Sequence, residues 1–468
     1  MGRRYLSALS LLLLLISSFA LPSYVRADDT PDGYVADEIV IKLFGSSDLA
    51  AVATQYNLAL PPLDQFGTRP IYRLRISDGM GPEEKATELL GDARIEFAEP
   101  NFLAQTPEGR GGRKRWAIGE SEQGYAEQWS PSKIRLAEAS TVNSGSGITV
   151  AVLDTGVDRN HPRLSQRLLN GFDFVDFDDD PSEEGVYGVD FGYGHGTHVA
   201  GLVALVAPDA QILPVRVLDT EGVGNIWVLT EGLLYAIDPD GNPATDDGAQ
   251  VINMSLGTLR RTELLDRIIA EVSCASSSDD DDDDNGLADD DDDDGGDDDD
   301  ARCQRTGGAV VIAAAGNGGN QVPQYPAGEG VAGSLAVAAS TASDRLASFS
   351  THGAWVKISA PGDDIISSVP DDSYGTWSGT SMAAPHVAGV AALVRAQQPT
   401  LNATAVVDKL VLSAQPICGS APNRLDAAAA LGLAKAGPTD CTSYSIFFPL
   451  YRLSGWGRVN ENSEARPG

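Results

Sequence analysis

Ile148-Thr149-Val150-Ala151-Val152-Leu153-Asp154-Thr155-Gly156 is a continuous apolar run with one threonine, ended by Asp-Thr-Gly. A run with no polar face reads as a strand covered on both sides. Ile212 to Leu218, Val251 to Met254, Ala309 to Ala315 and Leu335 to Ala339 are similar short runs. Helical stretches lie between them and beyond, at His198 to Val206, Val228 to Ile237, Leu264 to Val272 and Ala384 to Gln397. Buried strands alternating with helices predict an α/β unit, a mostly parallel sheet with helices on both faces. Functional groups in such sheets gather at the carboxyl ends of strands, and Asp154 stands at one.

Upstream, residues 28–106 read as a small α+β unit. Ile39, Ile41 and Leu43 alternate with Val40, Lys42 and Phe44, as in a strand, and Ile71 to Ile76 alternates again. Leu49 to Leu58 is a short helix by pattern. Pro82 to Leu90 opens on proline and stops near Gly91, as helices do. Ile95 to Ala98 is a last short strand. Thr106 to Arg115, rich in glycine and arginine, reads as a linker.

The first residues read as a processing signal. Arg3 and Arg4 precede the apolar stretch Leu6 to Ala20, and Val25-Arg26-Ala27 sets small residues before a cut after Ala27. A leader over 1–27 predicts secretion, and no second membrane-spanning candidate follows. The 468 residues carry 33 Lys and Arg against 67 Asp and Glu, a net charge of −34. That field repels nucleic acid and anionic membranes, so neither is an expected partner. In an oxidising compartment the four cysteines are expected to pair. Three pairings are open. Cys274 with Cys303 and Cys418 with Cys441 would each close a local loop.

Three segments carry chemistry: Ala151-Val152-Leu153-Asp154-Thr155-Gly156-Val157, Gly194-His195-Gly196-Thr197-His198-Val199-Ala200-Gly201 and Ser378-Gly379-Thr380-Ser381-Met382-Ala383-Ala384-Pro385-His386. Ala313-Ala314-Ala315-Gly316-Asn317 lies between the last two. A serine hydroxyl needs a base, an imidazole can be one near neutral pH, and a carboxylate fixes its tautomer. An amide such as Asn317 can donate to an oxyanion. His195 and His198 lack the glutamate and the spacing of a helical zinc site.

The four segments together resemble the subtilase family of serine endopeptidases over roughly residues 125–436. The resemblance implies that Asp154, His195 and Ser381 are the triad and Asn317 the oxyanion donor. It implies that Ser255-Leu256-Gly257 and the segment with Gly222 and Gly224 pair with an extended peptide, and that Ala313, Ala314 and Ala315 line the primary pocket. It implies polypeptide substrates and a monomer. Residues 28–106, ending in Phe97-Ala98-Glu99-Pro100-Asn101, are similar to the ferredoxin-like α+β prodomain that inhibits secreted subtilases. The composition of the linker, 107–124, makes it the expected maturation region, with the cut between about Ala104 and Ile118. A C-terminal tail from 437 to 468 contains the apolar Ile446 to Tyr451. Many subtilases carry a calcium-ligating Asp after His161-Pro162. Here the residue is Arg163, and no calcium is expected there.

The segment 274–303 is an insertion. It holds sixteen aspartates between Asp279 and Asp300. Asp281, Asp283, Asn285, Gly286 and Asp289 fit one Asp-rich calcium template. Asp290, Asp292, Asp294, Gly295 and Asp298 fit it again. Structural calcium is the expected cofactor, against the plainer reading of a solvated acidic run. A catalytically silent subtilase-fold binding or adhesion protein is the alternative function. It is disfavoured because all four catalytic positions are present. A lipase lacks support without a Gly-x-Ser-x-Gly elbow around Ser381.

Overall fold

The computed structural model describes residues 33–109, 117–242, 245, 247–275, 302–304, 306–419, 422–437, 439 and 441. The expected leader over 1–27 lies outside them. So do the calcium-template residues Asp281, Asp283, Asn285, Asp289, Asp290, Asp292, Asp294 and Asp298, and the tail segment Ile446 to Tyr451.

The N-terminal unit contains β1 (Tyr34–Leu43), α1 (Leu49–Gln55), β2 (Asp64–Gln65), β3 (Ile71–Arg75), α2 (Pro82–Leu89) and β4 (Ile95–Gln105). β1 lies between β3 and β4, antiparallel to both. Alternation along β1 sends side chains in two directions. Ile39, Ile41 and Leu43 pack with Val52 of α1 and Leu89 of α2. Val40, with Phe97 and Phe102 of β4, joins the core of the larger unit instead. The small sheet is thus apolar on both faces, one for its own helices and one for the rest of the chain. β4 runs to Gln105, well past the expected end at Ala98, because its second half finds another partner, β9.

The larger unit begins with β5 (Ala117–Glu120) and short helical turns up to Ala139. Then follow β6 (Thr149–Asp154), β7 (Phe172–Asp173), α3 (His195–Val206), β8 (Gln211–Arg216), β9 (Val223–Asn225) and α4 (Ile226–Ile237). β10 (Val251–Met254), α5 (Glu263–Ser273), β11 (Val310–Ala314), β12 (Ser334–Ser340) and β13 (Ile358–Pro361) continue the chain. β14 (Ile365–Val369), β15 (Ser373–Trp377), α6 (Thr380–Gln397) and α7 (Ala403–Ser413) follow, with a last short helical turn at Ala427–Ala430. Seven strands form a parallel sheet in the order β13-β12-β11-β10-β6-β8-β7. The opening run forms β6 at its heart. Val150 and Val152 pack with Val203 of α3 and Val387 of α6. Ala151 and Leu153 pack on the opposite face with Leu229 of α4 and Ile269 of α5. A strand sandwiched in this way can carry no polar face, which is why its sequence is unbroken.

Two helices start earlier than hydrophobic periodicity suggests. α3 begins at His195 and α6 at Thr380, not near His198 and Ala384. Their first turns are rich in glycine and small residues, which read as loop. The glycine has a steric reason: a Cβ on Gly196 would sit 2.1 Å from the carbonyl oxygen of Gly156. Only glycine lets α3 abut the Asp154 loop so closely. The cysteines pair as nearest neighbours, Cys274 with Cys303 and Cys418 with Cys441. Among the described residues no helix is long and apolar enough to cross a membrane.

Candidate active site

Asp154 ends β6, and its Oδ1 lies 2.7 Å from Nδ1 of His195, in the first turn of α3. Both side chains are buried. The backbone N–H of Thr155 donates to the same carboxylate oxygen at 2.8 Å, which fixes its rotation. Ser381 lies in the first turn of α6. Pro385 has no N–H to bond the carbonyl of Ser381 one turn back. The hydroxyl of Ser255 donates to that carbonyl instead, at 2.9 Å. An interior proline therefore ties the serine turn to the strand segment Ser255-Leu256-Gly257. Asn317 follows β11. Its Oδ1 accepts from the backbone N–H and the hydroxyl of Thr380, at 2.9 and 3.0 Å. That fixes the amide and leaves its Nδ2–H to donate elsewhere. The chain thus brings Asp154, His195, Ser381 and Asn317 together from four separate segments.

A fifth side chain occupies the space between them. Pro107–Gly109 makes a single turn, and Glu108 in it is buried. The hydroxyl of Ser381 donates to Glu108 Oε2 at 2.8 Å, and Asn317 Nδ2 donates to Oε1 at 2.9 Å. Nε2 of His195 lies 3.3 Å from Oε2. The carboxylate presses close on Gly379, where a Cβ would meet Oε1 at 1.8 Å and displace it from this position. Burial opposes a charge on His195, but the carboxylates of Asp154 and Glu108 outweigh it and push the imidazole up to about 10. Clamped between two carboxylates, His195 is drawn toward its charged form, in which Nε2 has no lone pair to take the proton of Ser381. Nothing in the local sequence marks Glu108, a polar residue in a stretch that reads as linker.

The chain just before Glu108 lies as an extended peptide. Leu103, Ala104 and Gln105 of β4 pair antiparallel with Asn225, Gly224 and Val223 of β9. Gln105 also exchanges two backbone hydrogen bonds with Gly257, at 3.0 and 2.9 Å, and Thr106 N–H donates to the carbonyl of Gly222 at 3.0 Å. The segments expected to grip a peptide, around Gly222, Gly224 and Gly257, hold the chain's own. Ala313, Ala314 and Ala315 are closed to solvent at the end of β11, packed alternately into the two sheet faces. His198 is pushed down to about 3 by burial, and its Nε2 faces the carbonyls of Ile365 and Gly375. It therefore shares no ligand position with His195. Arg163 pairs with Glu122 at 3.2 Å, and its guanidinium lies over the ring of Tyr125.

Residues 145–437 match the model of the subtilase family. The chain belongs to the subtilase family. Residues 22–101 of this subtilase match the fervidolysin N-terminal prodomain. It is 37% identical to thermitase of Thermoactinomyces vulgaris over 283 residues, 58% of this chain and 83% of that one. It is 36% identical to a thermophilic serine proteinase of Bacillus sp. strain AK1, over 65% of this chain and 64% of the relative. In fold it is similar to the crystal structure of fervidolysin from Fervidobacterium pennivorans, a keratinolytic enzyme. The TM-score is 0.62 at 23% identity, covering 88% of this chain and 62% of that one. The subtilase is thus a subtilisin-like serine protease with an N-terminal prodomain.

One acidic group escaped the sequence reading. Carboxylate oxygens of Asp238, Asp240 and Asp247 lie within 4.8 Å of one another, a group that could hold a metal ion. Burial and the neighbouring carboxylates raise Asp238 above its usual range. Its signal is Asp238-Pro239-Asp240-Gly241-Asn242, the same alternation of aspartates with a following glycine that marks the insertion.

Proposed function

We propose that this subtilase is a secreted serine endopeptidase, made as a zymogen that cuts itself free of its prodomain. Ser381 Oγ attacks the scissile carbonyl while His195 Nε2 takes the hydroxyl proton. Asp154 holds the Nδ1–H and stabilises the imidazolium that forms. Asn317 Nδ2–H donates to the oxyanion. His195 then protonates the leaving amine, and water repeats the sequence on the acyl-enzyme. Substrate lies as a third strand between the Gly222–Gly224 and Ser255–Gly257 segments, gripped mostly by its backbone. Ala313 to Ala315, small and at the end of β11, form the wall against which a substrate side chain would lie.

The observation that carries this reading is residues 103–106, bound as a peptide would be and leading straight to Ser381. The prodomain acts as an intramolecular inhibitor. It fills the peptide cleft, and Glu108 withholds both nucleophile and base until it moves aside for the self-cut. Calcium is the metal this chain would take. The aspartates of the insertion are hard oxygen donors, and the Cys274–Cys303 bridge holds the ends of that segment together. Ion binding there would stabilise the chain without entering the reaction.

The test is hydrolysis of casein by the purified chain, with and without a serine-directed phosphonate. Ser381→Ala is expected to lower turnover on the order of a millionfold. Asn317→Ala is expected to cost about 3 kcal/mol of transition-state stabilisation, chiefly in kcat. Near-normal turnover by Ser381→Ala would overturn the assignment, and an Asn317→Ala defect confined to KM would remove the oxyanion role.

A further inference from the structure

The helix that carries His195 has an unusual beginning. Its cap position, Gly194, sits at φ 86° and offers no side chain. Amides in a helix's first turn need outside acceptors. Here they are supplied from two other places. The N–H of Gly196 donates to Thr155 Oγ1 at 3.0 Å. The N–H of Thr197 donates to Glu183 Oε2 at 3.1 Å, and the Thr197 hydroxyl donates to the same oxygen at 2.8 Å. The other oxygen of Glu183 accepts from the Thr155 hydroxyl at 2.7 Å. Thr155 is the residue whose N–H holds Asp154.

Glu183 therefore bridges the two sides of the Asp154–His195 pair. The segment that carries it is pressed on the same loop. A Cβ on Gly156 would lie 2.6 Å from the carbonyl oxygen of Ser182, and Val157 N–H donates to the carbonyl of Pro181 at 3.0 Å. We propose that Glu183 is a positioning residue, whose carboxylate locks the Asp154 loop to the first turn of α3 and so sets the geometry of the catalytic hydrogen bond. It touches neither substrate nor reacting atoms. Its acidic character also suits the positive end of α3. Burial, with Asp154 close by, raises its carboxyl to about 7, the mark of a group held in place against its own solvation.

The inference rests on Asp154 and His195 acting as proposed. Displacing a catalytic group by about 1 Å can cost on the order of a hundredfold in rate. A positioning role therefore predicts a loss in kcat with binding intact. The experiment uses the full chain, secreted and processed, assayed on a chromogenic peptide amide, with the active fraction counted by phosphonate labelling. Glu183→Ala is expected to lower kcat about 10- to 100-fold and to leave KM within about twofold. Glu183→Gln keeps the shape and an acceptor oxygen, and is expected to recover most of that loss. Thr197→Val, which removes one arm of the bridge, is expected to lose less. Its loss should not multiply with that of Glu183→Ala, because both cut one connection.

Wild-type kcat in Glu183→Ala, whatever its melting temperature, overturns the inference. A change in KM alone does so too. If Glu183→Ala does not fold, Thr197→Val decides, since wild-type kcat there also overturns it. His195→Ala is the control. Retained turnover there would remove the triad reading itself. Lost turnover there with unaffected Glu183 variants would remove this inference only.

Discussion

Glu108 shows how far one side chain can act outside its sequence neighbourhood. It reaches Ser381, Asn317 and His195 because β4 pairs in register with β9 and Gly257, which delivers the next turn of chain between them. Asp154, His195 and Ser381, which the fold brings together, were legible as candidates because each sits in a motif of small, tightly constrained neighbours. Glu108 has no such signature, since its partners are all far away in sequence. Its effect has a defined pH dependence. His195 is raised from an ordinary 6.5 to about 10, by Asp154 and Glu108 against burial. A raised base stabilises the folded state fully below its unfolded value, and the benefit is lost as pH rises through about 10. In an uncut Ser381→Ala chain, adding Glu108→Gln is expected to cost about 2 kcal/mol at pH 7, the scale of a charged hydrogen bond. The difference between the two chains should shrink toward pH 11, and unfolding measured across pH 6–11 reads it. A difference that stays constant would mean that no ion pair with His195 is involved.

The two helices that meet the prodomain are held by their ends. The N-terminus of α5 donates two amides to Glu99, from Glu263 at 2.7 Å and Leu264 at 3.1 Å. The N-terminus of α4 donates from Trp227 to Asn101 Oδ1 at 3.2 Å. Between them Phe66 meets the ring of Trp227 edge-on, and Arg69 forks onto Glu271 at 2.8 and 2.7 Å. β4 thus works as strand, double helix cap and peptide mimic along one length. Its hydrophobic alternation foretold a strand, but its end could not be read, because Leu103 to Gln105 are held by a partner far along the chain. Burial raises the docked Glu99 carboxyl to about 7, and the two amides pull it back only in part. Against about 4.3 for a free glutamate, docking gains on the acid side and weakens as pH rises through about 7. Latency after processing should therefore fade faster at pH 8 than at pH 5. Glu99→Gln should flatten that dependence, and Glu99→Ala should loosen the prodomain at all pH values by about 1 kcal/mol, as for a lost cap. A Glu99→Gln chain with an undiminished pH response would show that another group controls release.

Architecture was the most legible level, because a sheet buried on both faces leaves short unbroken apolar strands such as Val150 to Leu153, spaced by helical stretches. The acidic insertion is the opposite case, with a sequence full of like charge and no apolar pattern to fold upon. What the structure adds is its boundary. Cys274 follows α5 directly, and its bridge to Cys303 returns the chain beside its point of departure. Closing a loop of this length costs several kcal/mol of chain entropy, which the covalent bridge removes from the folding step. An ion bound by the insertion, as proposed, would then leave β11 and Asn317 beyond it undisturbed. Calcium is expected to raise the melting temperature saturably and slow autolysis, as any ligand does that binds only the folded chain. Simple screening would give a weaker, non-saturating response, matched by magnesium or plain salt. The deciding comparison is calcium titration of the wild type against Asp281→Asn/Asp283→Asn/Asp290→Asn/Asp292→Asn. The quadruple variant should lose most of the saturable shift and keep its turnover on a short peptide. An equal shift in both chains would place the ion elsewhere, and Asp238→Asn/Asp240→Asn would then be the variant to titrate, because those carboxylates already converge.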